Sequence, residues 1–391
     1  MDFRFAPEQE KFRSEVRSFL GEALPADWVG SDNAIDEEAH GFGREFLKKL
    51  APRKWIAPAW PTEYGGLGMG LWDQVVFNEE MSYARAPVIN TPAVGYLGPT
   101  IMIYGTEEQK QQHLDGITSG DIQWCQGYSE PGSGSDLASL ETRALQDGDD
   151  FVINGQKIWT SQAHYADWIF LLARTDPDAP KHKGISYFLV DMKSPGISVR
   201  PLINLANGKG FNEVFFDNVR VPRSGLLGEQ NRGWYMATTT LDFERSSVSA
   251  SAGMRRSLEE LSQYCAETRL NGGRLLDKPS VKHKLVDLTV EIAIIQLLSY
   301  RVVTMQEKGI VPNHEASIVK VFNSELNQRL GRAGIGILGL HGQLEPESPY
   351  AKLHGRFEKL YLTSVGSTIA AGTSEIQRNI IASRGLGLPR Y

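Results

Sequence analysis

QGYSEPGSGSDLASLETRA, residues 126–144, marks the point where the chain changes character. Hydroxyls and glycines crowd around Pro131, and small side chains leave backbone N–H groups open to a flat or phosphorylated ligand. Taken alone, the stretch reads first as a structural turn. Downstream lie short β-rich pieces at 151–153, 168–173, 186–190 and 214–221, parted by Gly, Pro, Asn and Asp clusters, which predict an all-β middle portion. Upstream, Phe12, Val16, Phe19 and Leu20 recur at helical spacing behind Pro7, predicting an amphipathic opening helix. A loop-like run, APAWPTEYGGLGMG at 57–70, precedes a second helical pattern over 71–83. Past Gly233 the helical period returns. Val281, Leu285, Leu288, Ile292 and Ile295 mark one face of a long helix, bordered by Lys284, Asp287 and Glu291. The order predicts an α+β multi-domain chain: an N-terminal helical domain (1–121), a central β-barrel or sandwich domain (122–228) and a C-terminal helical domain (229–391). With no internal repeat or long linker, the three parts are expected to pack as one unit.

Bulk properties narrow the function. The 391 residues carry 41 Lys and Arg against 47 Asp and Glu, a net charge of −6, so no broad positive field is available for nucleic acid or anionic lipid. Two cysteines, Cys125 and Cys265, cannot build a disulfide framework, and no Cys/His spacing matches a metal site. The first residues lack a signal-peptide core, and no stretch reads as about 18 consecutive apolar residues. The expectation is a cytoplasmic, bacterial protein with no metal, nucleic-acid or membrane partner. His113, His283 and His341 read as structural or solvent-facing, and Met236, Met254 and Met305 as core filler.

Two further segments carry chemistry. NGQKIWTS, 154–161, delivers Trp159 and Ser161 to one strand face by two-residue alternation, and a Trp can stack on a conjugated ring, although a lone Trp is more often core. AGTSEIQRNIIASRGLGLPR, 371–390, enters a helix through Gly372 and Thr373, either a cap or an anion-facing turn. Together the three segments resemble, in order and spacing, the acyl-CoA dehydrogenase family, whose members show a TEP-x-x-GSD-like segment, an NG-x-K-x-W segment and a GTS-x-I-Q-R segment. The resemblance runs the length of the chain. It implies a helical, β, four-helix-bundle architecture, FAD as cofactor, an acyl-CoA substrate, a tetramer, and an electron-transfer flavoprotein as electron acceptor. It also implies that Tyr128, Ser129, Gly134 and Ser135 surround the flavin or the thioester, that Trp159 stacks on the isoalloxazine, and that Ser161 bonds near N5. Arg269 resembles the arginine that reaches the FAD diphosphate of a neighbouring subunit, although TRLNGGRLLDKP around it carries an apparent insertion. Thr373 and Glu375 resemble dinucleotide contacts, and GLHG, 339–342, starting at Gly339, falls where relatives touch the adenine.

Family chemistry requires a base for the substrate α-proton, and many relatives supply it from a YEGT motif. Here the four positions are Ala370, Ala371, Gly372 and Thr373, and alanine accepts no proton. A carboxylate is available in LDFERSSVSASAG, 241–253, where Leu241, Glu244 and Val248 share a helical face. By helical pattern alone, Glu244 reads first as an ion-pair partner of Arg245 or of another helix. The resemblance favours catalysis, because isovaleryl and long-chain relatives place the base in such an ER dipeptide. It further implies CoA-binding roles for Asp242 and Arg245, and an oxyanion role for the Ala371 backbone N–H. Small residues at 370 and 371 suit a branched, ring-bearing or steroid side-chain acyl group. The alternatives are a non-catalytic subunit of a heterotetramer, or an oxidase or flavin monooxygenase on the same fold.

Overall fold

The computed structural model describes residues 4–30, 37–87, 89–244 and 250–389. Five helices come first: α1 (Pro7–Ala23), α2 (Glu37–Leu50), α3 (Leu71–Ala84), α4 (Gly98–Tyr104) and α5 (Glu107–Thr118). Strands follow as β1 (Trp124–Gly127), β2 (Arg143–Asp147), β3 (Asp150–Ser161), β4 (Trp168–Arg174), β5 (Ile185–Asp191), β6 (Ile197–Leu202), β7 (Phe211–Pro222) and β8 (Leu226–Leu227). Helices return with α6 (Gly233–Glu244) and α7 (Ala250–Glu267). A small hairpin, β9 (Arg269–Leu270) and β10 (Gly273–Arg274), leads into α8 (Pro279–Glu307), α9 (His314–Leu338), α10 (Arg356–Ser367) and α11 (Ser374–Ile380). The chain is thus α+β and multi-domain, in the predicted order. By backbone contacts it divides into two compact units: Asn33–Met69 with Pro87–Glu244, and Met1–Asp32 with Gly70–Ala86 and Arg245–Tyr391.

The first unit holds an eight-stranded sheet in the order β6-β7-β3-β2-β4-β5-β8, with β1 added parallel to β4. β2 meets β4 in parallel at Arg143 and Arg174, and the other pairings are antiparallel. β4 and β5 read as continuous apolar runs because both of their faces are covered. Phe170, Leu172, Tyr187 and Leu189 face a core built with Leu97, Ile101, Leu114 and Met236 from the helices. Ile169, Leu171, Phe188 and Val190 face a second core shared with Phe151, Ile153, Val214 and Val219 of β3 and β7, which curls the sheet onto itself.

α5 contributes an acid-sensitive element to the first of these cores. The His113 ring is buried and lies edge-on to Trp124 and Trp168, at centroid separations of 5.0 and 4.8 Å. Burial pulls its pKa from 6.5 to about 4. The folded chain therefore binds this proton less readily than the unfolded chain, so stability is intact above pH 6.5 and declines as pH falls toward about 4. The full difference is about 3 kcal/mol in order of magnitude. His113→Phe should narrow the gap in Tm between pH 7 and pH 4.5, measured by thermal unfolding. An unchanged gap would show that the imidazole proton is not part of the acid limb.

The second unit is helical. The face read from sequence on α8 is the buried one, with Val281, Leu285, Leu288, Ile292 and Ile295 packed among Leu258 and Leu261 of α7, Leu326 and Leu330 of α9, and Phe357 of α10. Phe357 lies directly on the α9 backbone at Gly334, where a Cβ would come within 1.9 Å of its ring. Two expectations need correction. On α1 the predicted Val16, Phe19 and Leu20 are buried, but the inward face also takes in Arg13 and Ala23, and Phe12 is only half-buried, because Arg13 meets two carboxylates of α3 inside the unit. And α8 does contain an 18-residue window, of mean hydropathy 1.5, long and apolar enough to cross a membrane by length and composition, with 39% of that window buried. Scattered charges hid it from a search for an unbroken apolar run.

Candidate functional site

In the β unit the predicted segments converge on the start of the sheet. β1 ends at Gly127, and the chain turns through Tyr128 and Ser129 into a tight loop closed by paired bonds between Glu130 and Ser133, 3.0 and 3.1 Å. Tyr128 is buried, with its ring edge-on to Phe170 and Tyr187. Gly134 and Ser135 are exposed, and a Cβ on Gly134 would meet nothing within 4 Å. On β3, Trp159 and Ser161 do share a face, flanking buried Thr160, but not by simple alternation. The register slips between Lys157 and Thr160, and Trp159 takes a φ of +61°, a conformation rare for a bulky residue. The slip turns the indole outward: it is 59% exposed, with Phe211 edge-on at 6.1 Å. Backbone strain of this kind is commonly retained where a side chain must be aimed.

Several residues here escaped the sequence reading. Lys157, fully buried, donates to the Tyr128 carbonyl at 3.0 Å and to Glu130 Oε1 at 2.7 Å, while the N–H groups of Glu141 and Thr142 donate to the same carboxylate at 2.6 and 2.9 Å. Burial draws the Lys157 ammonium down to about 8, with Glu130 beside it limiting the fall. Burial alone would raise the Glu130 carboxyl, but Lys157 and the N–H donors outweigh it and hold it below its usual value. The signal was present in the strand period: Phe151, Ile153 and Lys157 share an inward parity, and a lysine on an inward face needs a partner. Asn212 of β7 donates to Thr160 O at 2.9 Å and bonds the His164 ring at 2.9 Å, fixing the chain just past Trp159. His40 stacks on Tyr165 at 3.9 Å and bonds Gln123 at 2.8 Å.

The helical unit carries the other predicted positions. Thr373 caps α11, its Oγ1 accepting from Ile376 N at 3.2 Å, and exposed Glu375 sits in the first turn, its carboxyl held below the usual range by its own backbone N–H and by Thr373. Ala371 adopts a left-handed φ of +53°, and its carbonyl accepts from Gln377 Nε2 at 3.0 Å. Gly339 ends α9 at a φ of +61°, with open space where a Cβ would stand. Arg269 lies exposed on the β9–β10 hairpin, whose Asn271 and Gly272 both take positive φ, so the apparent insertion is a two-residue hairpin turn. A cavity of about 450 Å³ in this unit, lined in part by Glu291, Phe322, Glu325 and Arg329, includes none of these positions.

Asp242 and Glu244 occupy the last turn of α6, where the described structure is limited to the backbone. Arg245 and Val248 lie outside the described residues. The β-unit segments fit a flat, polar-edged cofactor: an outward indole for stacking, open space over Gly134, and a buried Ser133 Oγ with no partner among the described residues.

Comparison with known proteins agrees along the whole chain. The models for the acyl-CoA dehydrogenase N-terminal, middle and C-terminal domains match residues 6–121, 125–219 and 231–386. The acyl-CoA dehydrogenase FadE26 of Mycobacterium tuberculosis is 37% identical, the alignment covering 100% of this chain and 99% of that protein. The solved Tcur3481-Tcur3483 steroid ACAD superposes with a TM-score of 0.91 at 38% identity, covering 100% of both chains. The ChsE4-ChsE5 complex from Mycobacterium tuberculosis gives 0.91 at 36% identity, again with full coverage of both. With three consecutive domain models matched and relatives aligned end to end, the chain belongs to the acyl-CoA dehydrogenase family.

Proposed function

We propose that this acyl-CoA dehydrogenase oxidises the α,β carbon–carbon bond of a bulky acyl-CoA thioester, with Glu244 as the base. The observation that carries the reading is a complementary pair of positions. Ala371 stands where many relatives place the carboxylate, and Glu244, followed by Arg245, stands where isovaleryl and long-chain relatives place it. Glu244 takes the α-proton, and the two carbons become the double bond of a trans-2-enoyl thioester. The Ala371 N–H donates to the thioester oxygen as negative charge develops there, a service that needs no side chain. Asp242 and Arg245 lie along the CoA chain.

FAD, when bound, accepts the β-hydrogen as hydride. In this reading the residues that hold it are Tyr128, Ser129, Gly134, Ser135, Trp159 and Ser161, with Gly339, Thr373 and Glu375 toward the dinucleotide and Arg269 toward the diphosphate in a neighbouring subunit. Ser135 also faces the substrate. Domain boundaries fall near 121 and 228.

Small side chains at Ala370 and Ala371 leave room beside the reacting carbons, which favours a branched or steroid side-chain acyl group over a short straight one. The steroid label on a full-length solved relative supports the same choice. The working form is a tetramer, either of this chain alone or as the catalytic half of a mixed assembly. Supporting this, α8 carries an exposed apolar stripe, Val286, Val290, Ile294 and Leu297, at helical spacing. Electrons pass to an electron-transfer flavoprotein, and the setting is the bacterial cytoplasm.

Purification of the chain alone, with visible absorption and light-scattering mass, tests the cofactor and assembly together. A yellow tetramer supports a self-sufficient catalytic chain. A protein that stays colourless after incubation with FAD and removal of the unbound cofactor would instead mark a chain that cannot hold flavin without a different subunit, and fast reoxidation of the reduced form in air would mark an oxidase.

A further inference from the structure

We infer that the buried Lys157–Glu130 pair is a positioning device for the flavin: one ion pair that sets the loop 128–135 and the outward turn of Trp159 at the same time. The inference rests on the FAD reading above. Its basis is the number of chain segments that meet at one carboxylate. Lys157 Nζ bonds Tyr128 O and Glu130 Oε1, Ile158 N donates to Ser129 O at 2.9 Å, and the N–H groups of Glu141 and Thr142 donate to the Glu130 carboxylate. The carbonyls of both Tyr128 and Ser129 are therefore committed to β3, which fixes the orientation of the loop backbone. On the strand side, Lys157 is the last residue in register before the slip that exposes Trp159. The anchored lysine and the buried Thr160, three residues later, bracket the irregular turn and fix where the indole points.

A device of this kind needs a reason to be charged. A buried ion pair adds little net stability over apolar residues of the same volume, because desolvating both charges offsets their attraction. What the pair supplies is direction: a lysine satisfied by one carbonyl and one carboxylate admits a single arrangement of two segments, where an apolar contact would admit several. Both segments carry residues assigned to the flavin, and neither Lys157 nor Glu130 touches it in this reading.

The test uses apoprotein and FAD titration, with visible circular dichroism of the bound flavin as a report on ring environment. Lys157→Met and Glu130→Gln are compared with Phe151→Leu, a core truncation on the same strand remote from the slip. Glu130→Gln removes the charge while retaining one of the two oxygens that the N–H groups of Glu141 and Thr142 use, and so keeps the test open if Lys157→Met does not fold. The expected result is a rise of tenfold or more in the Kd for FAD and an altered flavin dichroism in the pair variants, with Phe151→Leu lowering Tm but leaving both readouts as in the parent. Wild-type Kd and dichroism in the pair variants would overturn the inference while leaving the FAD reading intact. A parent apoprotein that takes up no FAD would overturn both.

Discussion

Glu244→Gln should keep its FAD and lose its chemistry, with the rate of flavin reduction by acyl-CoA falling by about 10²- to 10⁴-fold. That is about 3–5 kcal/mol on the barrier, the scale expected when a positioned base is removed and the other groups stay. Gln preserves the size and hydrogen-bonding capacity of the side chain but cannot take the α-proton. The position is at the end of α6, next to the segment 245–249. Anaerobic mixing followed by absorbance gives the rate, and flavin content of the purified variant guards against a trivial loss. Adding Ala371→Glu to this variant should restore part of the rate. Ala371 already places a Cβ in a left-handed backbone, so a longer side chain there adds little strain to what the turn now carries. Reduction by Glu244→Gln at the parent rate would remove Glu244 from the mechanism.

Arg13→Met should destabilise the helical unit by about 3–5 kcal/mol, the cost of leaving the buried Glu79 carboxylate without its cation. Arg13, on the inward face of α1, bonds Glu79 at 3.2 Å and Glu80 at 2.7 Å on α3. Glu80 also receives Arg17 at 2.7 Å, and Tyr300 of α8 donates to Glu79 at 2.6 Å. Three helices thus share one charged cluster. Burial would raise the Glu80 carboxyl, but Arg17 and Arg13 outweigh it and hold it low. That contribution is present at neutral pH and is lost on acidification, as the carboxyl protonates. Met keeps much of the aliphatic packing, so the loss reports the charge. Urea unfolding should show a lower midpoint, and Arg13→Met with Glu79→Gln should cost less than the sum of the two single changes. Strict additivity would mean that the cluster is not coupled.

Much of this organisation was legible in the residues. The apolar face of α8 follows helical spacing, and β4 and β5 announce themselves as uninterrupted apolar runs bounded by Gly, Pro and Asp. What escaped was the charged interior. Arg13, Glu79, Lys157 and Glu130 are buried through partners far away in the chain, and local periodicity carries no information about a carboxylate 66 residues away, as for Arg13 and Glu79. The outward turn of Trp159 was also hidden, since it depends on a register slip against β7 rather than on the order of side chains in β3. The candidate positions come from motif resemblance; around them, the inward parity of Lys157 was legible, whereas its partner Glu130, the contacts of Asn212 and the positive φ at Trp159 needed coordinates.

The central claim is that this chain reduces its own flavin with a bulky acyl-CoA. Anaerobic titration of the purified protein with straight-chain, branched and steroid side-chain CoA thioesters, followed by loss of the flavin visible absorbance, tests it most directly. The account predicts stoichiometric bleaching by the branched or steroid ester and little or none by short straight chains. Bleaching by straight chains alone would contradict the substrate assignment, and a flavin-loaded protein that no acyl-CoA bleaches would contradict the function.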